Sequence, residues 1–99
     1  MLVGVAYETR NLIPEVFGAS EVARFLRYDL DEEMIYTRTH LEFRPEQFAD
    51  MLKAQKVEAF IYNEMTPELE KALEECGVKA YKGVSGDCKK AVTQLFIKG

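Results

Sequence analysis

The sequence has no tryptophan, one histidine, two cysteines and three prolines, and it has no excess of positive charge. Each shortage closes off a class of protein. Two cysteines are too few for the disulfide framework of a small secreted domain, which uses several paired ones. Cys76 and Cys88 are therefore expected as thiols in a reducing cytoplasm. One histidine, His40, cannot build a metal centre by itself, and no HxH or HExxH spacing exists. The acidic balance, 17 Asp and Glu against 13 Lys and Arg for a net charge of −4, argues against nucleic acid. Such binding runs on Lys and Arg neutralising phosphates. No apolar run approaches the roughly 20 residues of a membrane span. Met1 leads into Leu2-Val3-Gly4 without a basic signal-peptide region, so no membrane and no export are expected.

What is present is a well-mixed chain of 99 residues, 47% hydrophobic, with charges of both signs interspersed. That length suits one domain, 1–99, with one core and an ordinary solvated surface. No repeat, low-complexity stretch or linker divides it.

Six apolar or small residues, Leu2–Tyr7, form a run of strand length that suits a central strand covered on both faces. A loop follows from Glu8 to Gly18, marked by Asn11, Pro14 and Gly18. A second strand is expected over about Ala19–Tyr28, with a helix from Ser20 as the competing reading. Asp29-Leu30-Asp31-Glu32 reads as a turn. Ile35, Thr37 and Thr39 among Met34 and Tyr36 give a third strand that ends at His40, so that strands two and three form a hairpin.

Helix signals then begin. Pro45 fits a first helical position, where its missing N–H costs nothing. Phe43 and Phe48 are placed to staple that helix end. Phe48, Met51, Leu52 and Gln55 keep helical spacing. Val57–Tyr62 is a fourth strand. Thr66, Pro67, Glu68 and Glu70 open a second helix whose buried stripe is Leu69, Ala72, Leu73 and Cys76, and Gly77 closes it. Val78–Lys82 is a fifth strand. Gly83–Asp87 turns into a last helix with Ala91, Val92, Leu95 and Phe96 inward.

The order β-β-β-α-β-α-β-α defines an α/β single domain. A parallel second half with right-handed crossovers and an antiparallel first half give a mixed five-stranded sheet of order 3-2-1-4-5, a ribonuclease H-like arrangement. Ligands of open α/β sheets gather beyond the carboxyl ends of the parallel strands. Three loops lie there: one with Glu8 and Arg10, one with Asn63 and Glu64, and one with Ser85 and Gly86. In the last, Ser85 or Asp87 is expected to cap the helix. Cys88, in the first helical turn beside Lys89 and Lys90, is the cysteine whose thiolate is favoured, and with His40 it is a candidate soft-metal ligand. Cys76, at a helix C-terminus on an apolar stripe, is expected in the core. Leu12, Ile13 and Phe17 are expected outside the core as a contact surface. A nuclease needs a carboxylate on the first strand, and none precedes Glu8. No Ser-His-Asp, Cys-His or paired-carboxylate arrangement points to an enzyme.

Several motifs taken in order carry a resemblance. They are Phe17-Gly18 after the first strand, Glu75-Cys76-Gly77-Val78-Lys79-Ala80-Tyr81, and Gly83-Val84-Ser85-Gly86-Asp87 followed by Ala91-Val92. Together, over nearly the whole chain, they resemble the nitrogenase iron–molybdenum cofactor-binding (nitrogenase accessory factor-like) family. Val16 stands where family members carry a histidine before Phe-Gly, and His40 stands alone where many carry a histidine- and glycine-rich stretch. The resemblance implies a small non-enzymatic module that carries the iron–molybdenum cofactor or an iron–sulfur cluster. Its partners would be cofactor-assembly proteins, and Glu8, Arg10, Asn63, Glu64, Ser85, Gly86 and Cys88 would line the site. A regulatory or protein-contact domain without cofactor is the alternative.

Overall fold

The computed structural model describes residues 1–31 and 34–96. Its main sheet has five strands: β1 (Leu2–Ala6), β2 (Ala23–Asp31), β3 (Met34–Phe43), β4 (Ala59–Ile61) and β5 (Lys79–Tyr81). Their order across the sheet is β3-β2-β1-β4-β5. β2 runs antiparallel to β1 and to β3, whereas β4 runs parallel to β1 and β5 parallel to β4. Among the described residues three helices follow β3, β4 and β5 in turn: α1 (Phe48–Ala54), α2 (Pro67–Glu75) and α3 (Cys88–Phe96). The plain β-β-β-α-β-α-β-α order omits four two-residue segments. Leu12–Ile13 pairs with Gly86–Asp87, and Val16–Phe17 pairs with Glu64–Met65. Counting these, the described residues hold nine extended segments, and the main sheet takes the fifth, fourth, first, sixth and eighth. Two residues are too few to show a period, so the sequence carries no strand signal there.

The alternation of side chains across the strands sorts them into two cores. Val3 and Val5 of β1 join Leu26, Tyr28 and Leu30 of β2 and Ala59 and Ile61 of β4 under α3, which contributes Cys88, Ala91 and Val92. On the other face, Ala6, Phe25 and Phe60 meet Phe48 and Leu52 of α1 and Leu69 and Leu73 of α2. Five phenylalanines centre this second core. Phe60 lies 5.2 Å from Phe48 and 5.4 Å from both Phe17 and Phe25, ring centre to ring centre. These are edge-to-face or tilted contacts, each worth about 0.5–1.5 kcal/mol beyond burial. Phe43 stacks on Phe48 at 5.9 Å, so the expected staple at the start of the first helix is present.

Two glycines admit this cluster. A Cβ on Gly4 would lie 2.7 Å from Phe60 Cδ1. Gly18 has φ +89°, and a Cβ there would collide with Leu69 Cδ1. Gly18 thus ends the segment that delivers Phe17 to the core and lets α2 pass against it.

The strand boundaries differ from expectation. β2 begins at Ala23 rather than Ala19 and runs through Asp29, because Leu2 pairs with Asp29 and the Leu30 N–H bonds the Met1 carbonyl at 2.9 Å. The expected turn at Asp29–Asp31 is therefore strand, and its last residue, Glu32, lies outside the described residues. β3 continues past His40 to Phe43, which the aromatic core holds. Pro45 opens a 3-10 turn, Pro45–Gln47, that leads into α1. Ile13 and Phe17, expected outside, are buried, and Leu95, expected inside, is 41% exposed. Leu12 is exposed as expected. Among the described residues no helix is long and apolar enough to cross a membrane.

Replacing Gly18 by alanine combines a left-handed backbone with a clash in the core. The expected loss is about 2–4 kcal/mol of folding stability, measured by urea unfolding. Tyr62 is buried, with its hydroxyl donating to Glu70 Oε2 at 3.3 Å. Burial, and then the charge of Glu70, raise its pKa above the ordinary 10.0. The folded state thus holds this proton more tightly than the unfolded one. The associated stability is complete below pH 10 and is lost as pH rises through the folded value. Ultraviolet titration should show late tyrosine ionisation, and Tyr62→Phe should remove one tyrosine from that late phase and soften alkaline unfolding.

Candidate functional site

The three loops beyond β1, β4 and β5 are stitched to one another. The loop after β1 turns at Arg10 and Asn11, both left-handed with φ near +58°. Asn tolerates that conformation, and Arg bears its cost. The Glu8 N–H bonds the Leu12 carbonyl at 2.8 Å and closes this turn. From there the loop pairs first with Gly86–Asp87 of the third loop and then with Glu64–Met65 of the second. The second and third loops join directly, Gly83 N–H to the Asn63 carbonyl at 3.0 Å. The topological expectation of three loops on one sheet edge thus describes the structure.

The individual side chains on these loops take several roles. Glu8, Arg10, Ser85 and Gly86 are exposed. Gly86, at φ +95°, pairs with Ile13 through its backbone. Glu64 lies 3.9 Å from Lys82 Nζ, a solvent-screened pair worth little. Asp87, rather than Ser85, caps the last helix: its Oδ2 accepts the Lys90 N–H at 3.0 Å. Cys88 is fully buried, and its Sγ donates to the Ala6 carbonyl at 3.6 Å. The helix start that favours a thiolate is thus set against complete burial, which disfavours one. Cys76 is half-buried, its Sγ 3.8 Å from the Ala49 carbonyl of α1, in line with a packing role.

A cleft of about 380 Å³ opens beside the first loop. Pro14, Val16, Val22 and the backbone around Gly18 form its walls, and Tyr7, Glu8, Glu21 and Arg24 its polar rim. Val16 and Val22 are among the few large apolar side chains left exposed. Sequence reasoning found Glu8 here but missed Tyr7, Val22 and Arg24. Their signal was a hydroxyl ending an apolar strand, and an arginine where the next strand begins.

Tyr7 also reaches sideways to β3. Its hydroxyl lies 3.0 Å from His40 Nδ1, and the two rings meet edge-on at 5.3 Å. Arg24 Nε donates to Glu42 Oε2 at 2.9 Å, and that hydrogen bond and charge raise the guanidinium's pKa further. His40 and Cys88 thus hold different partners on the sheet. Among the described residues, no group of three or more His, Cys, Asp or Glu side chains is arranged to hold a metal ion.

With both cysteines in packing contacts, native thiol chemistry should be slow. A Cys76→Ser chain is expected to leave Cys88 unreactive to Ellman's reagent until denaturant is added, whereas a Cys88→Ser chain reacts at an intermediate rate. Reaction of Cys88 at the rate of a small free thiol would contradict the buried placement.

No protein-family profile matches the chain, and no curated protein sequence is significantly similar to it. Solved structures do match. The crystal structure of the protein PH0822 superposes with a TM-score of 0.81 at 16% identity, over 97% of this chain and 89% of that one. The NMR structure of a Thermotoga protein, provisionally called a NifB protein and placed in the DUF35 family, superposes with a TM-score of 0.68 at 19% identity. It covers 90% of this chain and 83% of that one. At such identities the likeness is one of fold.

Proposed function

We propose that this chain is a small non-enzymatic binding module of the nitrogenase-accessory kind, whose cargo is an iron–molybdenum cofactor or an iron–sulfur cluster. The observation that carries the reading is the likeness of fold, over 90% of the chain, to the Thermotoga protein provisionally called NifB. The order of motifs from Phe17-Gly18 to Gly83–Asp87 agrees with it, and the strand order agrees with a ribonuclease H-like scaffold. The cargo would sit at the carboxyl edge of the sheet, where Glu8, Arg10, Asn63, Glu64, Ser85 and Gly86 lie. We take the module to work in the cytoplasm with cofactor-assembly proteins, away from membranes and nucleic acid.

The residues fit a loosely held cargo better than a caged one. Iron–sulfur species are held by thiolates and sometimes by histidine. His40 is exposed, with one ring nitrogen turned to Tyr7. Cys88 reaches a cluster only if the first turn of α3 opens. That burial favours the second reading, a docking domain without cargo that uses the Val16 and Val22 cleft.

Anaerobic incubation with iron and sulfide, or with isolated iron–molybdenum cofactor, separates the two. Under the cargo reading the chain retains iron, molybdenum or both through gel filtration, with a metal–sulfur absorption band. His40→Ala should weaken retention more than Cys88→Ser. A chain that emerges free of iron and molybdenum under both loadings overturns the cargo reading.

A further inference from the structure

The two edges of the main sheet differ. β5 is three residues long, begins at Lys79 and is followed by Lys82, the short and charged kind of edge that resists pairing. β3 is ten residues long, and only β2 lies beside it among the described residues. A strand edge of that length offers an open row of backbone donors and acceptors. The residues from Thr39 to Phe43 decide what fits there. His40 pairs with Leu26 and Glu42 with Arg24, so His40 and Glu42 point to the α3 face, the face of Leu26. Leu41 pairs with Phe25 and packs partly against the aromatic core on the other face.

We propose that β3 pairs antiparallel with β3 of a second copy of this chain about a two-fold axis at Leu41, and that the joined edges form a divalent transition-metal site from two His40 and two Glu42 side chains. In that register His40 lies directly across from Glu42 of the other copy. Directly opposed residues have Cβ atoms about 5 Å apart and diagonal ones about 7–8 Å. The two imidazoles are diagonal neighbours, so the four donors surround the axis on one face. On the opposite face Leu41 meets its own copy and Thr39 meets Phe43, which extends the apolar core. Shifting the axis by one residue to Glu42 would bring His40 against Arg44 instead and lose the complementarity.

The hydrogen bonds of the single chain are compatible with metal binding at these side chains. With the proton on Nδ1, His40 donates to the Tyr7 hydroxyl and keeps Nε2 as an exposed lone pair. That outer-shell hydrogen bond is what orients metal-binding histidines. Glu42 gives Oε2 to Arg24, leaving Oε1 for a metal. One copy supplies two donors and two copies supply four, the number that a tetrahedral zinc or cobalt site needs. The inference does not depend on the cluster cargo, because its probes are simple ions without sulfide.

Sedimentation velocity on the full chain at neutral pH, with EDTA or with graded Zn²⁺, tests it. The chain should sediment as a monomer in EDTA and as a dimer with Zn²⁺, saturating at one ion per two chains. Co²⁺ should give the visible absorption of a tetrahedral site. His40→Ala should stay monomeric, and Glu42→Gln should need more metal. Tyr7→Phe, a change in a positioning residue, should weaken metal binding by about 10–100-fold without unfolding the chain, as read by circular dichroism. A chain that stays monomeric at every Zn²⁺ and Co²⁺ concentration, or a metal-induced dimer unchanged in His40→Ala, would overturn the proposal.

Discussion

The packing of Phe17, Phe25, Phe43, Phe48 and Phe60 is the constraint on which the remaining structure depends. These rings come from a loop, two neighbouring strands, the start of a helix and a parallel strand. Several of these segments are short, and none would be stable alone. A three-residue strand such as β4, or a seven-residue helix such as α1, gains little from propensity and nearly everything from the face it buries. Packing Phe60 against both Phe48 and Phe25 fixes α1 against the sheet and β4 beside β1 in one step. Gly4 and Gly18 belong to the same device, since a methyl group at either would enter space that Phe60 or Leu69 fills.

The cluster also accounts for how the functional edge is made. Phe17 and Met65 are paired neighbours in the short ladder between the first and second loops, and both are buried in the aromatic core. Ile13, in the ladder between the first and third loops, is buried in the core under α3. The first loop is thus anchored to both cores, one on each face of the sheet. Its exposed residues, among them Glu8, Arg10 and Val16, are presented from a braced segment. The cleft beside it, walled by Val16 and Val22 and rimmed by Glu8, Glu21 and Arg24, has the same support.

The long elements were legible because local chemistry and tertiary demand agreed. Pro67 and Gly77 bracket α2, Asp87 caps α3, and the run from Leu2 is buried on both sides. Phe17 was misread because Pro14 and Gly18 make its neighbourhood look like a surface loop, and only pairing with a segment 48 residues away buries it. β2 was placed too early because its register is set by Met1 and Leu2, which no local pattern reports. At the site, strand order announced which loops would meet. The residues that shape the cleft come from strand ends, where a tyrosine or an arginine has no distinctive spacing. Cys88 shows the opposite failure: helix position favoured a thiolate, and the close approach of α3 to Ala6 settled its burial.

The lacing of the three loops has a kinetic side. Each is tied to the other two by backbone hydrogen bonds, so none can swing open by itself. Local opening of any one loop must break its backbone bonds to both of the others, which makes the edge one cooperative exchange unit rather than three independent ones. A ligand arriving there meets a surface whose shape is set before contact, so little ordering entropy is left to lose on binding.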